Sequence, residues 1–347
     1  MPTIQDVARK AGVAPITVSR VINNSGYVSD ETRQKVEAAV CELNYVPNTI
    51  ARSLRLKQTH TLALVLTDIT NPFWTTVARS VEDVANEAGF NVFLCNTDES
   101  VTKQDDYLRA LLQKRVDGVL LVPAEMDVEL LPWIQSQDTP IVVVDRRVAY
   151  ASVDVVRCDA EGGAYQLVRH LLNMGHRHIA VLSGPREVST AEDRVAGYCR
   201  AMAEAGIEVK PEWLRFGRFT QASGYEMAQQ LARSEPHLTA MFGVNNFIAL
   251  GALRALKEAG MRVPEDVSLV AFDDFASEFV VEPFLTVADQ PAYEMGRRAA
   301  ELLLARLSGD GPDGYQEIIL PTRVIVRRSS APPSTERSAF TKELIEI

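Results

Sequence analysis

Residues 3–23 read Thr-Ile-Gln-Asp-Val-Ala-Arg-Lys-Ala-Gly-Val-Ala-Pro-Ile-Thr-Val-Ser-Arg-Val-Ile-Asn. Thr3 with Asp6 three positions on is an N-cap pattern, and Ile4, Val7, Ala8 and Ala11 recur at helical spacing, which predicts a helix over 4–11. Gly12 permits a tight turn. Pro15 suits a first helical position, where its missing N–H is not needed, and Val18, Val21 and Ile22 form the next apolar face until Asn23-Asn24-Ser25-Gly26 breaks it. Ser29 then caps a third helix. Asp30 and Glu31 sit at its positive end, and Val36, Val40 and Leu43 face inward as far as Asn44. Three short helices with a glycine turn between the first two describe a helix-turn-helix. The outer face of the second helix carries Ile16, Thr17, Ser19, Arg20 and Asn23. In a major groove, Arg20 could pair with a guanine edge and Ile16 could pack on a thymine methyl. The same pattern also fits an ordinary helical hairpin with a solvated face.

Charge separates this head from the rest. Eight basic and five acidic side chains give residues 1–58 a charge of +3, whereas 28 basic and 41 acidic side chains give the other 289 residues −13. A basic head on an acidic body suits a protein that meets phosphates at one end. With 347 residues, 46% of them apolar, the chain is long enough for two or three folded units, which excludes disorder and a disulfide scaffold. No run approaches the roughly 18 apolar residues of a membrane span, and Met1 to Lys10 resembles no secretory signal, so a cytoplasmic protein is expected. Cys41, Cys95, Cys158 and Cys199 lie far apart without metal spacing, and they read as reduced, mostly buried thiols.

From residue 61 the chain alternates short β-branched runs with helical stretches. The runs are Leu62 to Leu66, Val92 to Cys95, Val119 to Val122, Ile141 to Val144, Ile179 to Leu182, Met241 to Val244 and Leu269 to Phe272. Between them lie patterns such as Val77-Val81-Val84-Ala88 and Ala249-Leu253-Leu256. This alternation predicts parallel sheets covered on both faces. The pattern restarts after Asp159-Ala160-Glu161-Gly162-Gly163, giving two α/β lobes. Ligands of such sheets gather beyond the carboxyl ends of the strands. That rule selects Thr67 to Trp74, Asp145-Arg146, Gly184 to Arg194, Asn245-Asn246, Asp273-Asp274 and Asp289-Gln290. Asn71 can cap a helix begun by Pro72, leaving Phe73 and Trp74 at its mouth. Asp273 can accept, Arg194 and Asn245 can donate, and Phe219 or Trp74 can stack on an apolar sugar face. Arg194 with Asp273 also fits a structural ion pair, and Phe73 also fits a core residue.

The ordered motifs Thr3-Ile4-Gln5-Asp6-Val7-Ala8, Ala11-Gly12-Val13, Thr17-Val18-Ser19-Arg20-Val21-Ile22-Asn23, Val28-Ser29, Thr32-Arg33 and Leu43-Asn44-Tyr45-Val46-Pro47-Asn48 closely resemble the DNA-binding head of lactose-repressor (LacI/GalR) family regulators. Ala14-Pro15 departs from that pattern, because the family usually has a capping serine before a variable residue. The resemblance implies base reading by the positions of Pro15, Ile16 and Arg20, which here falls mainly on Ile16 and Arg20. It also makes residues 48–56 a hinge helix that folds only against a partner, with Leu54 wedged between central base pairs in the minor groove. The DNA-contacting set implied is Thr3, Pro15, Ile16, Thr17, Ser19, Arg20, Asn23, Asn48, Ala51, Arg52 and Leu54.

The body resembles the family's effector domain, itself similar to periplasmic sugar-binding proteins, through Asn71-Pro72-Phe73, Arg115-Val116-Asp117-Gly118, Val144-Asp145-Arg146, Gly175-His176-Arg177, Arg194-Val195-Ala196-Gly197-Tyr198, Val263-Pro264-Glu265-Asp266-Val267-Ser268 and Phe272-Asp273-Asp274. The implied effector set is Asn71, Phe73, Trp74, Asp145, Arg194, Phe219, Asn245, Asp273 and Gln290. Asn246 stands where the family usually has aspartate. Purine-responsive relatives share the aromatic pair but carry an arginine in place of Val188, so a sugar or sugar derivative is the expected effector and a purine the alternative.

The organisation implied is a helix-turn-helix over 1–46, hinge and linker over 47–59, a two-lobed effector-binding and dimerisation domain over 60–330, and a tail over 331–347. A homodimer reading a palindromic operator is expected, without a metal or cofactor. The tail lacks the leucine heptads of a coiled coil. Asp273-Asp274 lacks a positioned base or nucleophile, and His176 and His178 lack another ligand at metal spacing, so no enzyme is expected. The competing non-enzyme class, a sugar-carrying protein, would need no residues 1–58.

Overall fold

The computed structural model describes residues 2–46, 58–149, 152–275 and 282–334. Two compact units, Met1–Thr59 and His60–Ile347, divide the chain. In the first, α1 (Ile4–Ala11), α2 (Pro15–Ile22) and α3 (Asp30–Glu42) follow the expected bounds. Thr3 and Asp6 form a complete capping box, and Gly12 turns the chain with φ 66°. Ser29 accepts from the Thr32 N–H. As its side chain requires, Ala14 supplies no cap, and α2 starts on Pro15 alone. Val7, Ala8, Val18, Val21, Val36 and Ala39 close the small core that fixes the three helices.

The second unit holds two six-stranded sheets. Lobe 1 has the order β11-β5-β4-β3-β1-β2, from β1 (Thr61–Leu66), β2 (Asn91–Asn96), β3 (Gly118–Leu121), β4 (Ile141–Val144), β5 (Asp154–Cys158) and β11 (Glu317–Leu320). Lobe 2 has the order β12-β10-β9-β8-β6-β7, from β6 (Ile179–Ser183), β7 (Leu214–Phe216), β8 (Ala240–Gly243), β9 (Ser268–Phe272), β10 (Thr286–Asp289) and β12 (Arg323–Ile325). All neighbours run parallel except β12, which is antiparallel to β10. Central strands such as β1, β3, β4, β6, β8 and β9 are buried along nearly their whole length, which is why they read as continuous apolar runs. The helices of this unit are α4 (Pro72–Glu87), α5 (Val101–Gln113), α6 (Leu131–Gln135), α7 (Ala160–Asn173), α8 (Ser189–Glu204), α9 (Gln221–Ser234), α10 (Asn246–Glu258) and α11 (Ala292–Ser308).

The lobes are interleaved, so a single restart of the pattern describes only the first of three crossings. The chain enters lobe 2 after β5, and α7 packs in its core. It returns to lobe 1 after β10, where α11 packs on the first sheet and β11 pairs with β5 through Glu317 opposite Val155. It crosses again between β11 and β12. The cysteine expectation also needs correcting. Cys158 is buried, but Cys95 and Cys199 are half-buried and Cys41 is exposed. Cys95 lies on the edge strand β2, whose outer side no strand covers among the described residues, and Cys41 lies near the end of α3. Ala331, placed in the tail by sequence, exchanges hydrogen bonds with Ser268 and accepts one from His176, so the packed body reaches at least that far.

Candidate functional site

On the head, α2 presents Pro15, Ile16 and Arg20 as exposed side chains with Thr17 and Ser19 beside them, while Val18 and Val21 face the core. Ile16 is 57% exposed, more than a core-serving isoleucine would be. Asn23 donates to the Ser19 carbonyl at 2.7 Å and to its hydroxyl at 3.2 Å, so it finishes the helix and keeps its side-chain oxygen for outside partners. The Thr3 hydroxyl donates to Asp6 at 2.7 Å and is therefore first a capping group. Tyr27 is 90% exposed just beyond α2; sequence reasoning passed over it because exposure of a loop tyrosine leaves no periodic signal. Asn48, Ala51, Arg52 and Leu54 lie outside the described residues.

In the body, a cavity of about 640 Å³ opens between the lobes and is lined by all nine residues of the expected effector set. The strand ends place them. From lobe 1, Asn71 after β1 caps α4 by accepting from the Phe73 N–H, which sets Phe73 and Trp74 edge to face at 4.7 Å. Both rings are buried in the lobe core and border the cavity, so the core and binding readings of Phe73 are both true. Asp145 follows β4. From lobe 2 come Arg194 on α8, Phe219 after β7, Asn245 after β8 and Asp273 after β9, with Gln290 at the crossing. Phe219 rests on Gly184, where any Cβ would stand 2.3 Å from the ring, so glycine is required there for close approach. Asp145 and Asp273 both have φ 67°, a left-handed conformation that aspartate tolerates better than most residues.

The polar groups are few, buried and incompletely paired. Arg194 donates to the Val244 carbonyl at 2.7 Å and stacks 3.9 Å from the centre of the Phe272 ring, and its Nη2 is 3.8 Å from Asp273. That separation attracts without forming a hydrogen bond, so the pair does not exhaust either group. Asp273 accepts from the Gln290 amide. Among the described residues, Asp145 Oδ1, Arg194 Nε and Gln290 Oε1 are buried without a hydrogen-bond partner. Such atoms cost about 1–3 kcal/mol each when nothing answers them; Thr67 and Arg146 of the same lining carry others, and Thr97, Ser183 and Arg215 carry the rest away from it. Burial pushes the Asp145 carboxyl up to about 6, against the pull of Arg194 and Arg146. Burial raises Asp273 as well, against the pull of Arg194 and the Gln290 hydrogen bond.

Arg146 and Glu99 also belong to this lining. Arg146 is buried, grips Glu99 through both terminal nitrogens at 2.7 Å, donates to the Pro123 carbonyl at 2.8 Å and lies 5.6 Å from the Phe219 ring centre. The strand-end rule reaches Arg146, which follows Asp145. Glu99 follows β2 by three positions, so the same rule extends to it, although the residues after the Val92 to Cys95 run were not in the expected set; Asp98 and Glu99 are both left-handed there. Asn71 turns out to be occupied: besides capping α4 it exchanges two hydrogen bonds with Asn246 of lobe 2, at 3.0 and 2.9 Å. Asp274 faces away and pairs with Arg327, at 2.7 Å between Oδ1 and Nη1, which separates it chemically from Asp273. His176 bonds Thr239 and Ala331 within the fold.

Residues 3–48 match the family described as bacterial regulatory proteins, lacI family, and residues 59–325 match periplasmic binding proteins and sugar binding domain of LacI family. The chain is 40% identical over 308 residues to the HTH-type transcriptional repressor PurR of Photobacterium profundum, covering 88% of this chain and 92% of that one. A solved complex of the transcriptional regulator CelR with cellobiose is 34% identical, with TM-score 0.72 over 95% of this chain and all of that one. The Lac repressor dimer bound to operator and the anti-inducer ONPF is 29% identical, with TM-score 0.83 over 95% and 99% of the two chains. A helix-turn-helix head carried on a two-lobed ligand-binding body, matched along nearly its whole length, makes this chain a member of the LacI family of bacterial regulatory proteins, a DNA-binding transcriptional regulator.

Proposed function

We propose that the chain is a repressor, not an enzyme, acting in the cytoplasm as a homodimer on a palindromic operator, and that a sugar held between the lobes sets its operator affinity. The observation that carries the sugar reading is the pairing of carboxylates and guanidinium from opposing lobes, Asp145 against Arg194 and Asp273, with buried polar atoms unanswered and aromatic rings alongside. Vicinal hydroxyls both donate and accept. They can therefore satisfy a carboxylate and an arginine together while the C–H face of the ring lies on Trp74 or Phe219. The similarity to a regulator solved with cellobiose supports the same class. Ile16 and Arg20 read bases in this proposal, with Leu54 and the hinge at the minor groove. The edge strand β2 leaves Phe93 and Leu94 exposed, one on each face of the sheet, and its open edge suits a second copy.

A purine is the second reading, because Phe73, Trp74 and Phe219 would stack a purine equally well. Val188 is buried at the start of α8 and offers no charge there, which favours the sugar. Thermal-shift titration of the full chain with D-ribose, D-glucose, cellobiose, hypoxanthine and guanine separates the two, because a ligand that binds the folded state raises stability in proportion to ln(1 + [L]/Kd). Stabilisation by a sugar, together with a sugar-dependent change in a mobility-shift assay on a selected palindrome, is expected. Stabilisation by a purine alone would establish the second reading.

A further inference from the structure

We infer that Asn71 and Asn246 form a latch that holds the two lobes together before any effector arrives. The residues lie at the N-terminal ends of α4 and α10, one in each lobe, and both are buried. Each side-chain amide donates to the oxygen of the other, at 3.0 and 2.9 Å. Backbone donors fix which way the amides face: the Phe73 N–H points to Asn71 Oδ1 at 3.1 Å, and the Phe247 N–H to Asn246 Oδ1 at 2.7 Å. Neither amide can flip without abandoning a backbone N–H at a helix start, so the pair is complementary by construction. An aspartate at 246 would keep one of the two interlobe bonds and set its other oxygen against Asn71 Oδ1. The asparagine therefore matters for closure and not for the fold of either lobe.

Two backbone amides also donate across between the lobes and report on closure, beside the Arg147 guanidinium, which pairs with Glu192 and Asp193 of α8. The Met126 N–H donates to the Glu187 carbonyl at 3.2 Å, and the Arg147 N–H donates to Ser189 Oγ at 2.8 Å. Both amides lose their acceptors when the lobes part. Amides inside β8 and β9, such as those pairing Met241 with Leu269, do not depend on closure. With the latch made, part of the cost of closing is met in advance, and the apparent affinity of a closing effector rises in proportion to the closed fraction.

The test is hydrogen exchange on the full chain without added ligand, in wild type, Asn246→Asp and Asn246→Ala. Asn246→Asp retains an acceptor for Phe247 and places a negative charge at a helix N-terminus, where it is favourable, so lobe 2 keeps its stability. Exchange at Met126 and Arg147 is expected to accelerate by about 5- to 100-fold in both variants, the range for a lost buried hydrogen bond, with β8 and β9 unchanged. Equal rates in all three proteins, unprotected Met126 and Arg147 in wild type, or acceleration in β8 and β9 to the same extent would each overturn the latch. None of these outcomes depends on which effector the cleft takes, so a failure of the sugar reading leaves the result intact.

Discussion

Replacing Asp145 by asparagine should stabilise the effector-free protein while damaging its response to effector. The carboxyl is held near 6 by burial, against an ordinary value of 3.8. About two pKa units at 1.36 kcal/mol each correspond to a cost of roughly 3 kcal/mol for keeping this group ionised in the folded chain at neutral pH. The sign follows from proton counting. Between about 4 and 6 the folded state holds a proton that the unfolded state has released, so stability falls as pH rises through that window and stays low above it. The substituted amide does not titrate, matches the neutral acid in shape, and tolerates the φ of 67° that alanine would not. Asp145→Asn should therefore raise stability at pH 7.5 by about 2–3 kcal/mol and leave it nearly unchanged at pH 4. For a body of this size that is about 4–10 °C in Tm. Scanning calorimetry of both proteins from pH 4 to 8 measures it. Parallel curves, with the variant no more stable at pH 7.5, would refute the buried-carboxylate reasoning. The effector arm of the same experiment should show the stabilising sugar losing most of its effect on the variant.

Arg20→Ala should cost about 1–3 kcal/mol on the preferred operator and relax one base preference in selection from a random pool; an equal loss on every sequence would place Arg20 on phosphates instead. Asp273→Asn, which keeps the left-handed backbone comfortable, should abolish the effector-dependent mobility shift while leaving effector-free DNA binding within about twofold, so a normally responding variant would remove Asp273 from the site. Burial holds the His176 imidazole below its ordinary 6.5, with Nε2 bonded to the Ala331 carbonyl. The stability this provides is present above 6.5 and is lost as pH falls below it, opposite in sign to the Asp145 trend. His176→Gln should flatten that acid limb in calorimetric scans, and an unchanged limb would exclude His176 as its source.

The head was legible almost to the residue, because capping, turn and helix start are local chemistry: Thr3 with Asp6, Gly12, Pro15 and Ser29 each act on neighbours within three or four positions. The central strands were legible because burial on both faces demands unbroken apolar runs. Strands β5, β7, β10, β11 and β12 were not, since they are three to five residues long and mix in Asp154, Arg157, Arg215, Asp289, Glu317 and Arg323. Their pairing is also distant. Glu317 finds Val155 across 162 positions, a contact without a local signature, and the interleaving of the lobes went unseen for that reason. The strand-end rule did find the cleft. It could not tell that the Asn71 amide is taken up by Asn246, because which of several polar groups meet depends on lobe closure, not on spacing.

The two sheets repeat one plan, with β2, β1, β3, β4, β5 and β11 of lobe 1 standing in the same order as β7, β6, β8, β9, β10 and β12 of lobe 2. Asp145 leaves β4 and Asp273 leaves the matching β9 with the same φ, so each lobe brings a carboxylate to the cleft from an equivalent corner. Burial raises the Asp145 carboxyl and opposes closure; Asp273 adds a lesser push, which the pull of Arg194 outweighs. The Asn71–Asn246 pair pulls the other way. Closure without ligand is thus a balance between buried carboxylates, whose lost hydration resists, and an amide pair that holds, each worth a few kcal/mol at most. A ligand whose hydroxyls donate to both carboxylates removes the resisting side of that balance. The part of its affinity that is specific to the closed form then appears as a change in lobe population, which is what a switch on DNA affinity requires.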